Sequence, residues 1–257
     1  MKKLNEIKPV WHSVIWIVAY VLLVNIGDWL SELMGEPQLA TAPLLAVLSI
    51  VLFIYVRRNG WLRYYGLRPL RGSDARGTLL YLPLVVIAGM QHVKGLRSDL
   101  DVAAVLLIVV LMVCVGFIEE LVFRGFLFRA ILANARLKRA VLNSGATFGI
   151  GHIVNLARGY TGLDQIIQIG FGVLLGIVLA LLFAVTGTIV PLIVFHTVLN
   201  ISGNVTVADS GAELAMLAVT AVICAGYAAY LVAVLRRRGP DAEVQSLPAP
   251  ASVPADR

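Results

Sequence analysis

Residues 102–123 read VAAVLLIVVLMVCVGFIEELVF, and the fold follows from how that stretch is understood. From Val102 to Ile118 no side chain carries a charge; then Glu119 and Glu120 interrupt the run, and Arg124 follows one turn later. A bilayer core of roughly 30 Å takes about 20 apolar residues as a helix, so the stretch is long enough to span a membrane. Comparable runs lie at 11–30, 42–56, 78–90, 140–156, 165–185, 188–203 and 212–235, and with 102–123 they predict eight spans. The expected fold is therefore all-α, a polytopic membrane helix bundle. Two runs are weak: 78–90 is short and contains Pro83, and 140–156 is interrupted by Asn143, Ser144, Thr147 and His152.

Composition agrees. The 257 residues are 59% hydrophobic and 14% charged, against about 45–50% and about 25% in soluble domains, and mean hydropathy is +0.87. That excludes a soluble globular protein and general disorder. A net charge of +6 raises the question of nucleic acid, and the placement of the basic residues answers it. With the N-terminus in the cytoplasm, all of the 21 Lys and Arg except Lys94, Arg97 and Arg158 fall on the cytoplasmic side. Glu32, Glu36, Asp99, Asp101, Asp164 and Asp209 fall outside. The positive-inside rule thus predicts an even span count with both termini cytoplasmic, and no nucleic-acid partner.

Residues 1–238 are read as a single membrane-embedded domain. After Arg238 come Gly239-Pro240, Pro248, Pro250 and Pro254, which predict a disordered cytoplasmic tail over 239–257. Cys114 and Cys224 sit in apolar runs and read as small core residues. The first run follows Lys2 and Lys3, is too long for a signal-peptide core and lacks a small-x-small cleavage site, so it is expected to be a retained span. Gly172 and Gly176, four apart, permit close helix packing, and ordinary glycine enrichment in membrane helices explains them equally well.

Ionisable residues inside membrane helices each need a reason. Glu120 and Arg124, four apart, can pair on one helix face, while Glu119 points about 100° away. An Arg at a helix end neutralised by one Glu is ordinary, but it does not account for a second carboxylate. His152 lies in the fifth run. His196 and Asn200, also four apart, share a face in the seventh. A single intramembrane His is usually a satisfied hydrogen-bonder; polar faces on three helices suggest one shared site.

A carboxylate and a neutral imidazole can hold and deprotonate a water, while a second imidazole and an amide can donate to the oxyanion formed when water adds to a carbonyl. Ser144 and Thr147 lack a nucleophile-elbow setting, which makes covalent catalysis the weaker route. Glu119 or Glu120 with His152 and His196 could instead hold a divalent metal such as zinc with one position left for water, although the usual HExxH spacing is absent.

The motifs EExxxR at 119–124, FxxxH at 148–152 and HxxxN at 196–200, in this order on successive apolar helices, resemble those of the CAAX protease and bacteriocin-processing family of intramembrane proteases, whose eukaryotic members are the type II CAAX prenyl endopeptidases. The resemblance runs from about Val105 to Ser202. It implies an endopeptidase acting on a membrane protein or a lipidated, hydrophobic peptide in the bilayer, with the bacterial cytoplasmic membrane as the expected location. It implies that Glu119 and His152 activate water, that His196 and Asn200 form the oxyanion site, that Glu120 and Arg124 hold the helix end, and that Phe148 packs beside His152. Family members are often labelled metalloproteases; a metal-free glutamate and histidine mechanism, with no cofactor, is the favoured reading.

Two other functions use similar residues. One is a non-catalytic bacteriocin-immunity or chaperone-like membrane protein. The other is a proton-coupled transporter, for which the paired halves with broken helices are not visible. A depth argument adds a constraint. Measured from the cytoplasmic side, His152 and Asn200 lie roughly 18 Å deep, but Glu119 only about 6 Å deep if its helix stops at Phe123. The helix is therefore expected to continue to about Ala133, with Arg124 and Arg129 in a wet cavity.

Overall fold

The structure is a computed structural model that describes residues 1–68, 79–158, 162–208 and 210–238. The tail expected over 239–257, together with Arg71, Arg76 and Asp209, lies outside the described residues. Among those described the chain is helical throughout, without strands; an isolated bridge pairs Leu96 with Thr206.

The helices are α1 (Lys2–Ile7), α2 (Pro9–Leu33), α3 (Thr41–Arg58), α4 (Leu82–Met90), α5 (Val102–Glu119), α6 (Phe128–Leu132), α7 (Leu137–Gly151), α8 (Gly162–Thr186), α9 (Val190–Val205) and α10 (Ser210–Arg238). Their ends follow local chemistry. Pro9 starts α2, where its missing N–H costs nothing. Asp101 caps α5, its side chain accepting from the Ala104 N–H at 2.8 Å. Arg57 and Arg58 close α3 before Gly60 turns the chain at φ +71.

Five helices are long and apolar enough to cross a membrane: Pro9–Leu33, Thr41–Arg58, Val102–Leu132, Gly162–Thr186 and Gly211–Arg238. Of the eight expected spans, five qualify by length and composition among the described residues. The runs at 78–90, 140–156 and 188–203 instead form shorter helices. Tyr81 and Pro83 delay α4, α7 gives way to a 3-10 turn at His152, and α9 begins beside Pro191 and ends at Val205. At 1.5 Å per residue, a 16-residue α9 covers about 24 Å, less than the hydrocarbon thickness.

The surface is apolar and the interior holds polar groups, the reverse of a water-soluble domain. Leu22, Trp29, Val47, Ile54, Val85, Val110 and Val222 point outward, whereas His12, Thr41, Glu120, Arg124, Ser144 and His196 are buried. This is the surface of an integral membrane protein, and it obliges each buried polar group to find its partner inside. The α2–α3 hairpin shows the consequence: Thr41 donates to Asp28 at 2.7 Å, and the Ser31 hydroxyl accepts from the Ala40 N–H at 3.0 Å. Helix α5 packs against α3 and α9, and α7 against α8, which place three helices around one polar centre.

Candidate active site

The helix carrying the two glutamates runs without interruption from Val102 to Leu132, as the depth argument required. Glu119 lies thirteen positions before that end, so it stands about 20 Å up the helix. From Glu120 to Leu127 the helix changes to π geometry, and all eight residues there are buried. Such wide turns with i→i+5 bonds are rare and concentrate at functional sites. The wet cavity expected around Arg124 and Arg129 is corrected: Arg124 is fully buried and Arg129 is 6% exposed, each packed among protein groups.

Glu120 and Arg124 pair at 3.0 Å with both side chains at 0% exposure. Arg124 also donates to the Gly176 carbonyl at 3.3 Å, and its guanidinium stacks 4.2 Å from the Phe148 ring centroid. Two buried charges thus neutralise each other, and the arginine spreads its charge onto an aromatic face and a backbone dipole. Glu120 Oε1 has a second partner, His196 Nδ1 at 3.0 Å. A carboxylate oxygen accepts, so His196 Nδ1 carries the proton in this contact.

Glu119 has a different environment. Its side chain is 14% exposed; Oε1 accepts from the Tyr20 hydroxyl at 2.6 Å, and Oε2 lies 3.4 Å from His196 Nε2. The spacing rule set it apart from Arg124, but it is not left alone. His196 stands between the two carboxylates, anchored on Glu120 and open toward Glu119.

Phe148 is the hub of the site. Its ring meets His152 at 5.3 Å, His196 at 5.7 Å and Phe123 at 5.3 Å between centroids, all edge to face. His152 is half-buried at the end of α7, and its Nδ1 lies 3.1 Å from the Phe148 carbonyl. A carbonyl only accepts, so Nδ1 is the protonated nitrogen and Nε2 keeps its lone pair. Gln165 on α8 donates to the His152 carbonyl at 3.1 Å and holds the turn in place.

The residues expected at the site therefore separate into two groups. Glu119, Glu120, Arg124, Phe148 and His196 are in direct contact; His152 joins through Phe148, with no ion pair to either glutamate among the described residues. Asn200 lies one turn along α9 from His196, its carbonyl accepting from Asn204 at 2.8 Å. Its side-chain amide makes no hydrogen bond among the described residues. The residues named for a metal, Glu119, His152 and His196, do not converge as ligands: among the described residues no three His, Cys, Asp or Glu group in that way.

Close backbone packing brings these side chains together. A Cβ on Gly149 would lie 2.3 Å from the Val173 nitrogen, and one on Gly176 would lie 2.7 Å from the Gly145 carbonyl oxygen. Two small-xxx-small faces, Gly145/Gly149 on α7 and Gly172/Gly176 on α8, meet there, bringing α8 close to Phe148 and His152. On the other side, a Cβ on Gly116 would meet Thr197 at 2.5 Å and the Ile193 carbonyl at 3.2 Å, so α5 and α9 touch one turn from the glutamates. Three contributors were not expected from sequence: Tyr20, Gly116 and the Gly145/Gly149 pair. The last carried a usable signal, a second four-residue glycine spacing.

Residues 101–202 match the family described as type II CAAX prenyl endopeptidase Rce1-like. Over that segment the chain is similar to the CAAX protease family. The match spans all three motif helices and leaves residues 1–100 and 203–257 outside it. No curated protein and no solved structure matches the chain.

Proposed function

We propose that the protein is an intramembrane endopeptidase that hydrolyses a peptide bond with a water molecule activated by Glu119 and His152. The observation that carries this reading is the unequal treatment of two adjacent carboxylates. Glu120 is neutralised by Arg124 at 0% exposure, whereas Glu119 is partly exposed and meets no Arg or Lys among the described residues. A structural role requires only the first.

In the reaction, Glu119 and the free Nε2 of His152 hold the water, and the proton leaves as the water oxygen attacks the substrate carbonyl. The resulting oxyanion takes hydrogen bonds from the Asn200 amide and from His196, which donates through Nε2 as the imidazolium while Nδ1 stays on Glu120. The proton is then delivered to the leaving nitrogen, which breaks the C–N bond and releases an amine and a carboxylate. Glu120 and Arg124 hold His196 in orientation and touch no substrate. No step passes through a metal. The substrate is a membrane protein or lipidated peptide, cleaved within the bilayer.

The test compares host membranes containing wild-type protein with membranes containing Glu119→Gln, by mass spectrometry of polypeptide ends. A shortened membrane polypeptide present only with Glu119 intact supports the reading; identical end sets overturn it.

A further inference from the structure

The first span, which lies outside the Rce1-like segment, reaches into the site. His12, Trp16 and Tyr20 recur every four residues along α2 and so share one face. That face runs alongside the glutamate helix: His12 meets Phe126 at 4.9 Å between ring centroids, and Tyr20 meets Glu119. The lower part of the face is tied down, since the Trp16 indole N–H donates to His12 Nε2 at 3.1 Å and Tyr55 on α3 lies 3.0 Å from the same nitrogen. The Tyr20 hydroxyl donates to Glu119 Oε1 at 2.6 Å, a short O–H···O contact.

We propose that Tyr20 is a positioning residue for Glu119: its hydroxyl fixes Oε1 and thereby turns Oε2 toward His196 and the attacking water. This rests on the reading of Glu119 as the water-activating carboxylate. A carboxylate in an apolar helix bundle would otherwise rotate freely about its last side-chain bond and spend part of its time aimed away from the reacting atoms. One hydroxyl removes that freedom.

The test uses purified full-length protein in lipid vesicles with a fluorogenic farnesylated peptide ending in a CAAX sequence as probe. Tyr20→Phe is expected to lower kcat roughly tenfold to a hundredfold, as loss of one hydrogen bond to a charged group does, with KM unchanged. An unchanged kcat, or a loss expressed only in KM, overturns the role. Glu119→Gln in the same assay separates two failures. If it retains cleavage, the site reading falls and the Tyr20 role with it; if it is inactive while Tyr20→Phe matches wild type, the Tyr20 role falls alone.

Discussion

The glutamate helix is held from two sides by different physics. On the side of α7, α8 and α9 glycines let backbones approach closely, α7 against α8 at Gly145, Gly149, Gly172 and Gly176, and the glutamate helix against α9 at Gly116. Toward α2 and α3 the contacts are aromatic rings and hydrogen bonds: Tyr20 on Glu119, and His12 among Trp16, Tyr55 and Phe126. The first kind fixes where the helices are, with almost no tolerance. The second adjusts which way a side chain points on helices already fixed. The matched family segment contains the first kind and ends short of the second, so the chemistry of the site is internal to 101–202 while its fine orientation draws on the rest of the chain.

Substitutions can break this contrast, and the largest expected effect is at the ion pair that the glycine side encloses. Glu120→Gln leaves Arg124 buried without its counter-charge and weakens the anchor of His196, at a cost of about 3–5 kcal/mol. Yield and melting temperature of the detergent-solubilised protein should both fall steeply. Gly149→Ala comes next. Its Cβ would meet Val173 backbone atoms at 2.3 and 2.7 Å, which no rotamer change relieves, so α7 and α8 must separate, at about 1–3 kcal/mol. Melting temperature and proteolysis rate should fall together.

Gly116→Ala is the smallest perturbation and sharpens the comparison most. Its nearest contact is the Thr197 side chain, which can rotate, with the Ile193 carbonyl at a tolerable 3.2 Å. Stability should change by about 1 kcal/mol or less, while α9 moves His196 away from the glutamates and turnover falls by roughly tenfold. Equal fractional losses of stability and turnover would show that α9 carries no special positional demand.

Much of this could be read from the chain alone, for reasons specific to each residue. Arg124 and Glu120 were visible because four-residue spacing survives the change of helix type. The extension to Leu132 was visible because His152 and Asn200 set a depth that Glu119 had to match. The π turn was not, since 3.6-residue arithmetic presumes α geometry and the wider turn arises from packing against α2 and α7. Tyr20 was hidden for another reason. A tyrosine in an apolar helix resembles any aromatic membrane residue, and its partner lies 99 positions away. Helix length was the less legible part, because an apolar run does not reveal where Pro83, Pro191 or the turn at His152 shortens a helix.

The central claim is that Glu119, of the two adjacent carboxylates, does the chemistry. Glu119→Gln is isosteric, touches neither Arg124 nor the glycine contacts, and makes the side chain cheaper to bury. Turnover of the farnesylated probe and melting temperature, measured on the same preparation, test this directly. The expected result is loss of turnover to background with the melting temperature of wild type. Retained turnover, or a fall in melting temperature as large as that of Glu120→Gln, would contradict it.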